Sequence, residues 1–519
     1  MIFSNLHLMI WVAKMTNSAS RTQSFLQNSF WSMVLMLVNL FSGFIVPRAI
    51  IGAYGSEVNG LVNSLTQMVS YISLVEAGIG ASAVFALYGP LAIGDQCNVD
   101  AIVTEAKRFY YRSGLIFTML IFALAIIYPL LVKTETIKPA EIMVLVVSLG
   151  ATGFLDFFTL AKYQVLFTAG QCNWVVQIAT SVYRIFYTIA VIVMSSLNVP
   201  VATVYLLAIA AIFIRAIVLV SYTKKIYPHV NFSSKNTYSL KQHWDAFYLQ
   251  ILGAVQSGAP LLVATFLLQD LKLVSIYSIY LLVGNGVQNV IASFCNGTQA
   301  SFGDVIARGQ KSVLKKTFAE FQTALYFVAG VGCGTAAALV VPFVRLYTKG
   351  VADVDYVRPV LGTLVMLNVF LYHLKSPQGL LVIAAGHYRK TRLQTTAQAV
   401  ILLVGTIVLG VLFGLEGIVL GCCLSNFYRD IDLLFYVPHE ITGTSPMETV
   451  CKMLLSCIVA ATIYSPYKLL SPPCSAWSSW LIQLGLLILW GSAVSLAVLR
   501  LTQRVEFSAL LARLKNLKR

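Results

Sequence analysis

A chain of 519 residues that is 58% hydrophobic and only 11% charged, with a mean hydropathy of +0.80, cannot present a water-facing surface on all sides, because soluble domains carry about 25% charged residues. Its net charge of +16 is scattered over the connections between apolar runs, with no basic stripe interleaved with aromatics. That pattern excludes a nucleic-acid interface and assigns the charge to orientation in a membrane. Nine cysteines form no CxxC pair and sit mostly in apolar stretches, so they read as small buried residues rather than as a disulfide framework or a metal cage.

Met1 to Lys14 holds an apolar piece too short to span, without a basic n-region or a cleavage site, so it is not read as a signal peptide. Met15 is an alternative start, with Thr16 to Gln27 as a short cytoplasmic lead-in. Beyond it, apolar runs of about twenty residues recur, each long enough to cross a hydrocarbon core of about 30 Å. They lack strand-like alternation, and backbone groups in lipid must be satisfied within their own segment, so they are helices and not a barrel. About fourteen spans are expected, at 26–46, 58–87, 110–132, 142–167, 173–195, 201–222, 246–268, 273–296, 319–344, 358–385, 396–413, 417–437, 449–469 and 478–500. The fold class is therefore an all-α polytopic membrane protein, and none of its connections is long enough for an extramembrane domain.

Lys and Arg alternate in density from one connection to the next. One side collects Lys107, Arg108, Arg112, Lys224, Lys225, Lys235, Lys241, Arg308, Lys311, Lys315, Lys316, Arg389, Lys390, Arg392 and six residues of the tail, Arg500 to Arg519. The other holds only Arg48, Lys133, Lys138, Lys272, Arg345, Lys349, Arg358 and Lys468. This bias places both termini in the cytoplasm.

An internal repeat is visible. Ala169-Gly170 recurs as Ala385-Gly386 and Thr180 as Thr396. Arg215, Ile217, Leu219 and Tyr222 recur as Arg429, Ile431, Leu433 and Tyr436, and Gly78, Ala81 and Ser82 as Gly297, Ala300 and Ser301. A repeat of six spans keeps its orientation, so the halves are related by an axis along the membrane normal. The expected organisation is a cytoplasmic segment 1–25, an N-lobe 26–222, a basic linker 223–245, a C-lobe 246–437, a terminal helix pair 438–500 and a basic tail 501–519.

No soluble-enzyme signature is present: no Walker A loop, no HExxH and no metal-ligand spacing among the six histidines. No cofactor or metal is expected. Gly330-Val331-Gly332-Cys333-Gly334 lies inside an apolar span with no strand before it, so it signals close helix packing rather than a dinucleotide loop. Gly410, Gly414, Gly417 and Gly421 read the same way, around the turn between the eleventh and twelfth spans. The informative residues are charges inside spans, which are costly there and face a cavity or a partner. They are Glu76, Asp156, Arg184 and Lys375, with Arg48 ending the first span after Pro47. Arg and Lys in an interior cavity suit an anionic ligand, and guanidinium suits phosphate oxygens. Two plainer readings stand beside this one: Asp156 and Arg184, on consecutive antiparallel helices, neutralise one another, and Arg215 and Arg429 are interfacial snorkelling residues. Lys375 precedes Ser376-Pro377, where proline frees a backbone carbonyl and kinks the helix.

Pro47-Arg48, Tyr54-Gly55, Asn59-Gly60-Leu61, Glu76-Ala77-Gly78-Ile79-Gly80 and Leu87-Tyr88-Gly89-Pro90 together resemble the opening of the Wzx-like lipid-linked oligosaccharide flippases of the multidrug/oligosaccharidyl-lipid/polysaccharide (MOP) exporter superfamily. The resemblance implies movement of an undecaprenyl-pyrophosphate-linked oligosaccharide across a bacterial cytoplasmic membrane by alternating access of two lobes, in concert with polysaccharide assembly proteins and not as an enzyme. It further implies Arg48, Arg184 and Lys375 as pyrophosphate-binding residues, Glu76 or Asp156 as coupling a proton or sodium ion, and the last two spans as a groove for the prenyl tail. Two alternatives remain. A cation-coupled drug antiporter of the multidrug and toxin extrusion (MATE) branch usually has twelve spans and an acid in the first, whereas 26–46 contains no Asp or Glu. A membrane-embedded glycan polymerase generally has a long external loop. A non-transporting scaffold leaves the buried charges unexplained.

Overall fold

The computed structural model describes residues 18–76, 79–234, 236, 238, 244–295, 298–470, 473–504 and 506–508. The alternative starts at Met1 and Met15, Ala77 and Gly78 of the Glu76 motif, and most of the basic tail lie outside these. Among the described residues the regular structure is entirely helical. Eleven helices among those residues are long and apolar enough to cross a membrane by length and composition. Two of them are each folded back at a glycine whose backbone leaves the helical region: Gly55 (φ 85°, ψ 176°) and Gly414 (φ 63°, ψ −137°). Only glycine adopts such angles without a Cβ clash. The protein is a multi-pass membrane protein, and its many exposed Leu, Ile, Phe and Val side chains form the surface expected to face lipid.

The chain divides into two compact units, Met1–Ala254 and Val255–Arg519, with the boundary inside a helix rather than in the basic stretch before it. Unit 1 begins with α1 (Ser18–Ile72), folded at Gly55 and continued by a 3₁₀ turn (Ser73–Glu76) and α2 (Ile79–Ile93). The span expected at 58–87 is thus interrupted at Glu76. Next come α3 (Gln96–Leu131), α4 (Pro139–Leu155), a π turn (Asp156–Leu160), α5 (Ala161–Ala169) and α6 (Asn173–Ser196). α7 (Val201–Ala208) and α8 (Ile212–Ile226) flank a short 3₁₀ segment, and α9 (Trp244–Leu268) crosses into unit 2. Asp95 caps α3, accepting from the Asn98 backbone N–H at 3.1 Å and the Asn98 side chain at 2.6 Å, and these bonds hold its carboxyl below the ordinary aspartate value.

Unit 2 comprises α10 (Leu271–Ser293), α11 (Thr298–Ala307), α12 (Lys311–Tyr347), α13 (Pro359–Ala384), α14 (Arg392–Val437) with its fold at Gly414, a π turn (Pro438–Thr442), α15 (Pro446–Leu470) and α16 (Trp477–Thr502). The glycine-rich stretches do what close packing requires. A Cβ on Gly334 would lie 2.9 Å from the Cα of Ala460, and one on Gly330 3.0 Å from the carbonyl oxygen of Ser456, so α12 and α15 approach backbone to backbone. Across the fold in α14, a Cβ on Gly405 would lie 3.3 Å from the Cα of Gly421. Small residues at such contacts trade side-chain volume for closer helix contact in lipid.

α15 and α16 are tied into unit 2 through α12. Ser456 Oγ donates to the Tyr326 carbonyl at 2.7 Å, Lys452 Nζ to the Ala319 carbonyl at 3.0 Å, and Trp480 Nε1 to the Leu339 carbonyl at 3.3 Å. Phe343 of α12 sits edge-on to Trp477, with ring centroids 5.5 Å apart.

Candidate functional site

In unit 1, a polar ladder joins α1 to α6. Asn28 Oδ1 accepts from the Trp174 backbone N–H (2.7 Å), Asn39 Oδ1 from Arg184 Nε (3.3 Å), and Ser42 Oγ bonds Thr188 Oγ1 (2.7 Å). At the far end, Tyr54 donates to the Val199 carbonyl. The partners of these four bonds are 145 or 146 residues apart, a near-constant offset that fits α1 and α6 running parallel, with Val199 just beyond the end of α6. From Asn28 to Tyr54 the ladder runs about 39 Å at ~1.5 Å per residue, enough to cross a hydrocarbon core. Polar side chains in lipid are retained where a neighbouring helix satisfies them.

Arg184 sits on this ladder. It is half-buried, its Nε is held by Asn39, and its guanidinium lies 5.9 Å from the Tyr187 ring centroid. The remaining guanidinium nitrogens make this a preformed donor for an oxyanion. Arg48, half-buried on the same leg of α1, follows Pro47 and precedes the fold at Gly55. Glu76 ends the 3₁₀ turn with its side chain exposed.

Asp156 does not pair with Arg184. It opens the π turn after α4 and receives Nη1 of Arg215 on α8, at 2.8 Å to one carboxylate oxygen and 3.1 Å to the other. The extra residue of a π turn re-aims the side chains around it, and here Asp156 meets α8. Arg215 is accordingly no snorkelling residue: it is 8% exposed and committed to an ion pair inside the protein. Arg429 is likewise buried, and it pairs with Asp432 one turn on. Both readings from sequence fail for one reason: helical periodicity shows which face a charge occupies but not which helix lies opposite.

In unit 2, Lys375 on α13 is buried, with Nζ 2.6 Å from Asn426 Oδ1 on the second leg of α14 and 5.1 Å from the Tyr372 ring centroid. Asn426 in turn donates to Asn368 Oδ1 at 2.8 Å and accepts from Gln398 Nε2 at 3.5 Å, while Gln256 Nε2 reaches Gln398 Oε1 at 3.2 Å. The ammonium thus ends a chain of amides that joins α9, both legs of α14, and α13. α13 continues as helix through Pro377. There Tyr326 of α12 donates to the Leu374 carbonyl at 2.7 Å and accepts from Gln378 Nε2 at 2.7 Å, bracing the turn where proline removes a backbone donor.

The amide chain and Asp430 were not foreseen from sequence. Asp430 follows Arg429 directly, and its four-residue spacing from Asn426 was the available signal, since i and i+4 share a helix face. The structure also sets an acid-to-base linkage between two helices in unit 1 (Asp156 and Arg215) beside a base-to-amide linkage in unit 2 (Lys375 and Asn426). Asp156 and Lys375 are 219 residues apart, the offset that carries Gly78 onto Gly297.

These features define an all-α polytopic membrane protein with buried cationic and anionic side chains held in helix–helix polar networks. No family model matches the chain, and no curated protein matches its sequence. Among solved structures it is similar to the lipid II flippase MurJ in an inward closed conformation (TM-score 0.60, 16% identity, covering 94% of this chain and 100% of that one). It is similar also to a multidrug resistance MATE family transporter of the MOP superfamily, in an inward-facing conformation (TM-score 0.59, 13% identity, 86% of this chain and 100% of that one) and in an outward-facing one (0.57, 12%, 87% and 98%). At these identities the likeness establishes the fold: the chain is folded as these transporters are.

Proposed function

We propose that the protein is a flippase that carries an undecaprenyl-pyrophosphate-linked oligosaccharide from the cytoplasmic to the outer leaflet of a bacterial inner membrane, for cell-surface polysaccharide assembly. The observation that carries this reading is the extent of the match to the lipid II flippase, 94% of this chain against 86% and 87% for the MATE structures. The resemblance in the first three spans points the same way. The cycle is alternating access, with fourteen spans and both termini in the cytoplasm. Arg48, Arg184 and Lys375 meet the pyrophosphate: each is a cation at least half-buried in a span, and such cations are kept in membranes for a ligand or partner. Glu76 is the exposed acid available for a coupling ion. Asp156 serves that role only if Arg215 releases it. α15 and α16 take the prenyl tail.

Deleting the gene and extracting polyprenyl-linked glycans tests the reading. Accumulation of a complete lipid-linked repeat unit supports it. No accumulation, together with loss of cationic-drug efflux, replaces it with the MATE-type antiporter. Normal export of single, unpolymerised units replaces it with the polymerase.

A further inference from the structure

Among the described residues of unit 2, Asp430 is a buried carboxylate that none of the foregoing roles uses. Asp430, on the second leg of α14, is 6% exposed, and neither of its oxygens has a hydrogen-bond partner among the described residues. Arg429, next to it, is engaged by Asp432. Lys375 is within electrostatic reach of Asp430, yet its ammonium is bonded to Asn426 instead. A carboxylate anion sealed among helices without a donor is among the costliest arrangements a membrane protein can hold. A neutral carboxylic acid is not. The neutral acid is therefore the less costly of the two forms at this position.

Asn426 and Asp430 lie one turn apart on the same face of α14, about 6 Å along the axis; the Lys375 ammonium is bonded to the first and within electrostatic reach of the second. We propose that Asp430 is a proton-binding residue, and that its proton decides where the Lys375 ammonium sits. With Asp430 protonated, the ammonium is held by Asn426, as seen. When Asp430 releases its proton to water, the resulting carboxylate draws the ammonium away from Asn426 and pairs with it. One O–H bond breaks, one proton leaves, and Lys375 keeps its own protons throughout.

The consequence extends beyond the pair. Losing the ammonium leaves Asn426 Oδ1 to Gln398 alone, so the amide chain through Gln398 and Gln256 is remade at each protonation. Because the chain links α9, both legs of α14, and α13, a proton at Asp430 biases the packing of four helical segments. Among the described residues, Tyr326 on α12 and Cys457 on α15 are in electrostatic contact with it besides Lys375, and the Arg429–Asp432 pair flanks it on its own helix. Tyr326 is already committed to the Leu374 carbonyl and to Gln378. Lys452 on α15 is directed at the Ala319 carbonyl, with Glu506 3.8 Å away. His373 on α13 lies edge-on to Tyr372. Lys375 is the mobile charge of the set. The inference stands on unit 2 alone and holds whatever the cargo.

Infrared difference spectroscopy on the purified full-length protein tests it, because a protonated buried carboxylic acid has a carbonyl stretch well separated from carboxylate bands. The expected result is a band that disappears as pH rises and shifts in deuterated water. It should be absent in Asp430→Asn and retained in Asp156→Asn and Asp432→Asn. Persistence of the band in Asp430→Asn overturns the assignment, as does its absence from the wild type across the whole pH range in which the protein stays folded. Lys375→Met, which leaves the acid in place, should keep the band and change the pH interval over which it is lost. An unchanged interval overturns the pairing with Lys375 and covers the case in which Asp430→Asn fails to fold.

Discussion

The Asp156–Arg215 pair gives the account its most quantitative test, because sequence and structure name different partners for Asp156. A single Arg215 nitrogen donates to both carboxylate oxygens, at 2.8 and 3.1 Å, with the Arg215 side chain 10% exposed and that of Asp156 36% exposed. At an effective dielectric of about 20, unit charges this close attract by about 5 kcal/mol. Removing one member of a buried pair costs about 3–5 kcal/mol, because the survivor is stranded. The partial exposure of Asp156 puts the expected loss for Arg215→Gln near the lower end, about 3 kcal/mol. Arg184, in contrast, makes one 3.3 Å bond to a neutral amide, worth about 1 kcal/mol. A double-mutant cycle in mixed micelles, followed by tryptophan fluorescence during detergent unfolding, separates the two partners. Asp156→Asn with Arg215→Gln should show coupling of about 2–3 kcal/mol, whereas Asp156→Asn with Arg184→Gln should add to within about 0.5 kcal/mol. Coupling to Arg184 as large as that to Arg215, or a silent Arg215→Gln, refutes the pairing.

The glycine contacts of α12 make a paired prediction. Gly→Ala inside a helix gains about 1 kcal/mol of intrinsic propensity. At Gly332 the new Cβ meets the Ile291 side chain at ordinary van der Waals distance, 3.6 Å to Cδ1 and 3.8 Å to Cγ1, so Gly332→Ala should raise the melting temperature. At Gly334 it meets the Ala460 backbone at 2.9 Å, so Gly334→Ala should lower the melting temperature, through the loss of about 1–3 kcal/mol of stability typical of overpacking. Shifts of the same sign in a thermal-stability scan contradict the packing. In unit 1, Glu57, just past the fold in α1, accepts from the Glu135 backbone N–H at 2.9 Å and from the Thr136 hydroxyl. Glu57→Ala should accelerate hydrogen exchange at the Glu135 amide while leaving α3 protected, and unchanged exchange there contradicts the clamp.

Much of the fold is legible in the sequence because lipid imposes a simple rule: backbone groups close within each helix, so an apolar run of sufficient length is a helix. Gly414 was visible as a turn because Gly410, Gly417 and Gly421 flank it, and these are the positions where the two legs of α14 touch. The Gly55 turn falls in the connection expected between the spans 26–46 and 58–87, where hydropathy did not single out the glycine. Interruptions such as the 3₁₀ turn at Ser73–Glu76 and the π turn at Asp156–Leu160 break no hydropathy pattern and left no trace. The site was legible in part. Charge inside a span singled out Arg184, Lys375 and Asp156 as residues with partners, but a partner is chosen by tertiary packing. Asp156 found Arg215 on α8, Arg184 found a neutral amide on α1, and Lys375 found Asn426 rather than an acid. Asp430, hidden beside Arg429, became visible only once Arg429 was seen to pair with Asp432.

The measurement that bears most directly on the central claim is the leaflet distribution of the lipid-linked glycan in cells lacking the chromosomal gene and carrying a plasmid copy. Surface labelling of intact cells, compared with total extract, should show the glycan outside with the wild-type copy. With Arg184→Ala and Lys375→Ala combined it should remain inside, at matched protein levels in the membrane. Labelling at the wild-type level in the double variant contradicts the cationic site, and the same outside fraction in cells carrying no copy at all contradicts the flippase.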